Sequence, residues 1–309
     1  MQKRALWLAL TVNSGLLILQ VVGAILFGSL ALLADAAHLM SDVFGLGIAL
    51  GAHTLMQRPT SPRHTYGLQR AEVLGALANG ITLAVIVGWI GYESIQRLID
   101  PPSVDGEGLV TVALVGLAVN LGSAAVLHRA RGDSLNMHGA FLHMLSDALG
   151  SLAAVAAGLA IVIWSAHWAD PAASLLISGV IVWVTWGLLR DAINVLLEAT
   201  PRGLDHSDVA AALQSAPGVQ SVHHLHLWNL ASDVRALSAH IILGGPLNLH
   251  DAQERGEDLK EMLAHRFKIE HATLELECHD CEREPDEQFP ARNEVGSPAR
   301  ASDARRTSG

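Results

Sequence analysis

Six long apolar runs, at 5–27, 29–56, 72–95, 109–127, 139–164 and 172–197, leave this chain few folds to choose from. Each is about 20 residues or more, enough for a helix to cross the hydrocarbon core of a bilayer. Inside lipid every backbone N–H and C=O must be satisfied within the protein, which selects the helix. Residues 1–200 are therefore predicted to be an α-helical membrane domain of six transmembrane helices. The connections sort by charge. Lys3 and Arg4, then Arg58, Arg63 and Arg70, then Arg129 and Arg131, then Arg190 and Arg202 fall on one side, and the loops around 28–29, 100–108 and 165–171 fall on the other. The positive-inside rule then predicts a multi-pass protein of the inner (cytoplasmic) membrane with both termini cytoplasmic. Arg97 is the exception, and Glu93, four residues earlier, is placed to pair with it. The first run follows Lys3 and Arg4 as in a signal peptide, yet continues without a small-residue cleavage site, so it reads as a retained span.

Two of these runs contain ionisable pairs. His38 and Asp42 in the second, and His143 and Asp147 in the fifth, are each four residues apart, which stacks each pair on one helix face. A carboxylate at a helix centre costs about 2.5–3.5 kcal/mol on insertion scales, so it belongs in a protein interior or a polar path. Two imidazoles and two carboxylates make a tetrahedral nitrogen and oxygen set suited to Zn²⁺. Asn120, in the fourth run, is a further polar group at membrane depth and a candidate for the pathway. The many small residues, Gly75, Gly80 and Gly150 among them, read as close-packing positions between helices.

Past Thr200 the composition changes. Residues 1–200 carry 12 acidic and 9 basic side chains, whereas 201–309 carry 18 and 11 in little more than half the length. The net charge of −10 therefore lies mainly in a second, soluble domain at 201–284. No basic footprint for nucleic acid is present. Turn signals and alternation predict the order α-β-β-α-β, a small α+β sheet with helices on one face. From 285 to 309 Pro, Ser, Arg, Asp and Gly dominate, which predicts a disordered tail. Nine of the 16 histidines fall past Thr200. His223, His224 and His226 share the first strand, and strict alternation would point His224 and His226 one way and His223 the other. His240, Glu275, Glu277, Cys278, His279 and Cys281 complete a candidate second metal cluster, with the C-x-x-C thiols read as ligands or a redox pair in a reducing compartment. Arg70 and Glu198 are a candidate ion pair at the inner edge of the bundle.

The runs Leu33-Ala34-Asp35-Ala36-Ala37-His38-Leu39-Met40-Ser41-Asp42 and His143-Met144-Leu145-Ser146-Asp147, with His64-Thr65-Tyr66-Gly67 and Val222-His223-His224-Leu225-His226-Leu227-Trp228, resemble the cation diffusion facilitator family of zinc transporters. The resemblance covers roughly residues 5–280. It implies a ferredoxin-like cytoplasmic domain, a homodimer, and export of Zn²⁺, with Cd²⁺ and Co²⁺ as further substrates, in exchange for external protons. It places the transport site on His38, Asp42, His143 and Asp147, and cytoplasmic metal sites on His223, His240, His250 and Glu277. In some relatives two histidines bind metal between spans two and three. Here His64 remains, but Leu68 stands at the other position.

Charge compensation leads to the same exchange. Two carboxylates neutralise a dication, and their return without it calls for protons. No organic cofactor is expected. Two other readings use the same residues: an intramembrane metalloenzyme and a membrane-anchored zinc sensor. The first lacks a His-Glu-x-x-His helix, a nucleophile elbow and a phosphate loop. The second leaves four ligands at membrane depth without a purpose.

Overall fold

The computed structural model describes residues 2–130 and 135–279. Cys281 and the 285–309 tail lie outside the described residues. The six apolar runs form α1 (Gln2–Phe27), α2 (Leu30–Met56), α3 (Ala71–Ile99), α4 (Gly106–Ala130), α5 (Leu135–Trp164) and α6 (Ala169–Leu196). Most run a few residues past the apolar stretch, because polar side chains such as Gln96 and Arg97 continue a helix once it leaves lipid. Among the described residues five helices are long and apolar enough to cross a membrane, and α1 contributes a shorter apolar stretch, Thr11–Phe27. Large apolar side chains, among them Trp89, Trp183 and Trp186, cover the outside of the bundle, as a lipid-facing surface requires.

α4 packs on α5 and α3 on α6, and α2 touches α1, α3, α5 and α6. The first half of α2 is buried nearly all round, from Leu30 to Ala37. Its neighbours there are mostly small or branched residues, including Ala24, Val112, Ala113 and Ala154. Close helix approach explains part of the glycine content. A Cβ on Gly158 would lie 2.6 Å from a Val110 methyl, and one on Gly80 2.8 Å from a Leu189 methyl. Gly28 has φ +70, which permits the sharp α1–α2 turn.

That turn is pinned from two sides. Asp170, fully buried at the start of α6, accepts from Ser29 Oγ at 2.5 Å, Leu30 N at 2.8 Å and Ala31 N at 3.2 Å. A carboxylate from another helix thus caps the orphan N–H groups of α2. Arg97 donates to Gly28 O at 2.8 Å and to Glu93 Oε1 at 3.0 Å, which gives the one misplaced basic residue a structural task.

The C-terminal domain comprises α7 (His206–Gln214), β1 (Val219–Asn229), β2 (Arg235–Leu243), α8 (Leu249–Phe267) and β3 (Ile269–Glu277). The sheet order is β1-β2-β3, antiparallel between the first pair and parallel between the second. This is the ferredoxin-like order less its first strand. Val209, Leu213, Leu259 and Leu263 of the helices pack on Leu227, Leu237, Ala239, Ile241 and Ile269 of the sheet. Asp205 caps α7 by accepting from Ser207 N at 2.8 Å and Ser207 Oγ at 2.7 Å, bonds that hold its carboxyl below the usual Asp value. Among the described residues no helix packs on the other face of the sheet, which carries His223, His224 and His240.

Candidate metal centre

Helical periodicity brings His38 and Asp42 of α2 to His143 and Asp147 of α5. One ligand atom from each of the four lies within 4.8 Å of all the others. His38 Nε2 is 3.0 Å from Asp147 Oδ1, and His143 Nε2 is 3.4 Å from Asp42 Oδ2 and 3.8 Å from Asp147 Oδ2. The two imidazoles meet edge to face, with centroids 5.6 Å apart. Each histidine therefore faces a carboxylate of the other helix, and the set closes only when α2 and α5 are together. Asp147 is 3% exposed, while His143 is the most open of the four, so the cluster has a closed and an open side.

Two buried polar atoms here have no hydrogen-bond partner among the described residues, His38 Nδ1 and Asp147 Oδ2. An unsatisfied carboxylate oxygen this deep is costly unless something occupies the space between the ligands. A tetrahedral dication with nitrogen and oxygen ligands meets that need. Asn79 of α3 stabilises the backbone beside Asp42 by donating to Ser41 Oγ at 2.9 Å and Ser41 O at 3.3 Å.

The second cluster lies on the open face of the sheet, where His223, His240 and Glu277 offer ligand atoms within 4.8 Å. Glu277 Oε1 is 2.8 Å from His240 Nδ1, Glu277 Oε2 is 3.4 Å from His223 Nε2, and Glu275 Oε2 is 3.4 Å from His240 Nε2. The alternation expected for β1 does not hold. The register jumps between His223, opposite His240, and His226, opposite Ser238, and His224 has φ +48. This β-bulge adds one residue to β1, so His223 and His224 share a face. Their rings lie 5.1 and 5.0 Å from that of His240. Val222, Leu225 and Leu227 still reach the core, because the extra residue is absorbed between the first two.

Other predicted residues stand apart. His250 is exposed at the start of α8 and belongs to neither cluster. Cys278 is exposed, with Sγ 3.2 Å from His279 Nδ1. Arg70 Nη2 donates to Glu198 Oε1 at 2.7 Å, and both side chains are solvent-accessible. His64 lines a cavity of about 1030 Å³ between the 63–71 loop and β1, with Tyr66, His206 and Trp228. Sequence reasoning missed Asp170 and Asn79, and quoted Asp35 without giving it a role. Asn79 and Asp35 were visible as polar side chains at membrane depth and Asp170 as a carboxyl in the 165–171 connection, but their partners lie on other helices.

A multi-spanning helical bundle with paired imidazoles and carboxylates at its centre, followed by a small α+β domain, defines a membrane transporter of metal cations. The chain matches the family model for the cation efflux transmembrane domain at residues 6–197 and that for the cation efflux protein cytoplasmic domain at 201–279. It belongs to the cation efflux, or cation diffusion facilitator, family, and is a transporter, not an enzyme. It is 35% identical to the cadmium, cobalt and zinc/H(+)-K(+) antiporter of Bacillus subtilis, covering 89% of each chain. It is 38% identical to the metal cation efflux system protein CzcD of Cupriavidus metallidurans, over 91% of this chain and 88% of the relative. The zinc transporter ZitB of Escherichia coli is 37% identical over 90% of this chain and 88% of its own.

Proposed function

We propose that this protein exports Zn²⁺, with Cd²⁺ and Co²⁺ as secondary substrates, from the cytoplasm in exchange for protons. The observation that carries the reading is the convergence of His38, Asp42, His143 and Asp147 on one point inside the bundle. The relatives named for zinc, cadmium and cobalt favour the same cargo, and one of them is named for H⁺ exchange. Two carboxylates balance the dication, so the loaded site is neutral and cheap to occlude. Release towards the outer side leaves two carboxylates to be compensated, and protons meet that demand at imidazole and carboxyl groups. Because the ligands are split between α2 and α5, a shift of one helix against the other would open the site to one side and then the other.

The basic loops support cytoplasmic termini in an inner membrane, and the cytoplasmic-domain match supports a homodimer. Residues 201–284 form the soluble unit in this reading. His223, His240 and Glu277 on its open face fit a second Zn²⁺, with His224 packed beside them, and this site would hold a regulatory ion rather than cargo.

Sealed proteoliposomes with an internal pH dye test the exchange. A zinc gradient should drive proton movement with the parent and none above background with Asp147→Ala. Zinc binding without flux in either protein would instead favour the membrane-anchored sensor.

A further inference from the structure

The four-ligand cluster leaves out a third buried carboxyl. Asp35 lies on α2 one turn before His38 and is 4% exposed. Its Oδ2 accepts from Gln20 Nε2 of α1 at 2.6 Å and from Ser151 Oγ of α5 at 3.2 Å, and Asn120 Nδ2 of α4 donates to Ser151 Oγ at 3.4 Å. Gly150 makes the room, since a Cβ there would lie 3.3 Å from Asp35 Oδ1. Four helices thus meet around one carboxyl, on the side of the metal cluster nearer the 28–29 turn.

Among the described residues no lysine or arginine bears on Asp35. The titratable groups facing it among the described residues are His38 on its own helix and Asp147 on α5, while α1 and α4 present the neutral Gln20 and Asn120. A carboxylate this deep with only neutral partners is costly in the ionised form. Its partners suit both protonation states, because an amide or hydroxyl can donate to a carboxylate or accept from a carboxylic acid. Gln20 Oε1 is buried with no hydrogen-bond partner among the described residues, so an acceptor is in reserve. The sign of coupling follows from charge. A dication between the ligands favours ionised Asp35, and its departure leaves carboxylates that disfavour it.

We propose that Asp35, framed by Gln20, Ser151 and Asn120, is a proton-binding site separate from the metal cluster, filling as the cluster empties and emptying as it fills. One O–H bond forms at the Asp35 carboxyl with a proton delivered by hydronium on the outer side, and breaks when metal is reloaded from the cytoplasm, the proton passing to water on that side; no electron moves. The inference rests on the proton-exchange reading above and adds a place for the proton.

Two measurements on the full-length protein test it. In proteoliposomes reporting zinc and pH together, Asp35→Asn should move fewer protons per zinc ion and lose most of the pH dependence of zinc flux, with zinc affinity falling by less than the roughly 10- to 100-fold typical of outer-shell changes. Asp35→Glu should restore both. In infrared difference spectra, zinc-free minus zinc-bound, the parent should show a carboxylic-acid C=O band that Asp35→Asn removes and Ser151→Ala shifts. An unchanged proton-to-zinc ratio and an unchanged band in Asp35→Asn would overturn the proposal. So would an unchanged proton ratio with altered potassium dependence, which would make the site one for an alkali cation. If the parent moves no protons, the exchange reading fails, and the band still decides whether Asp35 titrates with metal. If Asp35→Asn does not fold, a band unmoved by Ser151→Ala refutes the assignment.

Discussion

The two clusters use similar donors on different scaffolds, and that difference decides what each can do. In the bundle, two histidines and two aspartates come from two helices, are largely enclosed, and pair across the α2–α5 contact. On the sheet, His223, His240 and Glu277 come from neighbouring strands fixed by backbone hydrogen bonds, with His224 beside them, and the His223 and His240 side chains are 32% and 31% exposed. In the proposed transport cycle, ligands divided between two helices suit an ion that must be released, whereas ligands on a hydrogen-bonded sheet suit an ion that stays.

The largest effect should come from cutting that division at its most buried point. Asp147→Ala should reduce zinc flux by more than the roughly 10- to 100-fold typical of outer-shell changes, because it removes a ligand and the partner of His38. Zinc binding at the soluble domain should be unchanged in the same protein, as read by equilibrium titration. If both sites weaken together, the two clusters are not independent.

Deleting His224 sharpens the other side of the comparison. Without the extra residue, Val222, Leu225 and Leu227 alternate strictly and still reach the core, so the domain should fold with an undiminished thermal midpoint. It loses an imidazole held at φ +48, and zinc affinity of the soluble domain should fall about tenfold. Unfolding on deletion would show that the bulge serves the sheet rather than the cluster.

Smaller effects are expected at the exposed contacts. Arg70→Gln should change stability by less than about 0.5 kcal/mol, and by less still in high salt, because the pair with Glu198 is open to solvent. A thermal melt at two ionic strengths measures it. Asp205→Ala should lower the melting temperature of the soluble domain slightly near neutral pH. The capped carboxyl lies below its ordinary value, so its contribution is present above the unfolded-state value and is lost as pH falls through the folded-state value. The parent and variant should therefore converge in acid.

The same contrast explains what the sequence could reveal. His38 with Asp42 and His143 with Asp147 were legible because helical spacing is rigid, and a carboxylate at membrane depth restricts the interpretations sharply. The six helices were legible from apolar length alone. The strand β1 was legible but the facing of its histidines was not, because strand alternation assumes an unbroken ladder, and one inserted residue at His224 moves a side chain to the other face. Asp35 and Asp170 were visible as letters, but their meaning depends on Gln20, Ser151 and Ser29, contacts that span 15 to 141 residues of sequence. No local pattern encodes such meetings.

The most direct test of the central claim is zinc X-ray absorption on the detergent-purified protein carrying His223→Ala and His240→Ala, which leaves the bundle as the only cluster among the described residues. Four-coordinate zinc with two nitrogen and two oxygen neighbours at about 2.0–2.2 Å is predicted. A sulfur shell, a six-oxygen shell, or the same spectrum after Asp42→Ala and Asp147→Ala would contradict it.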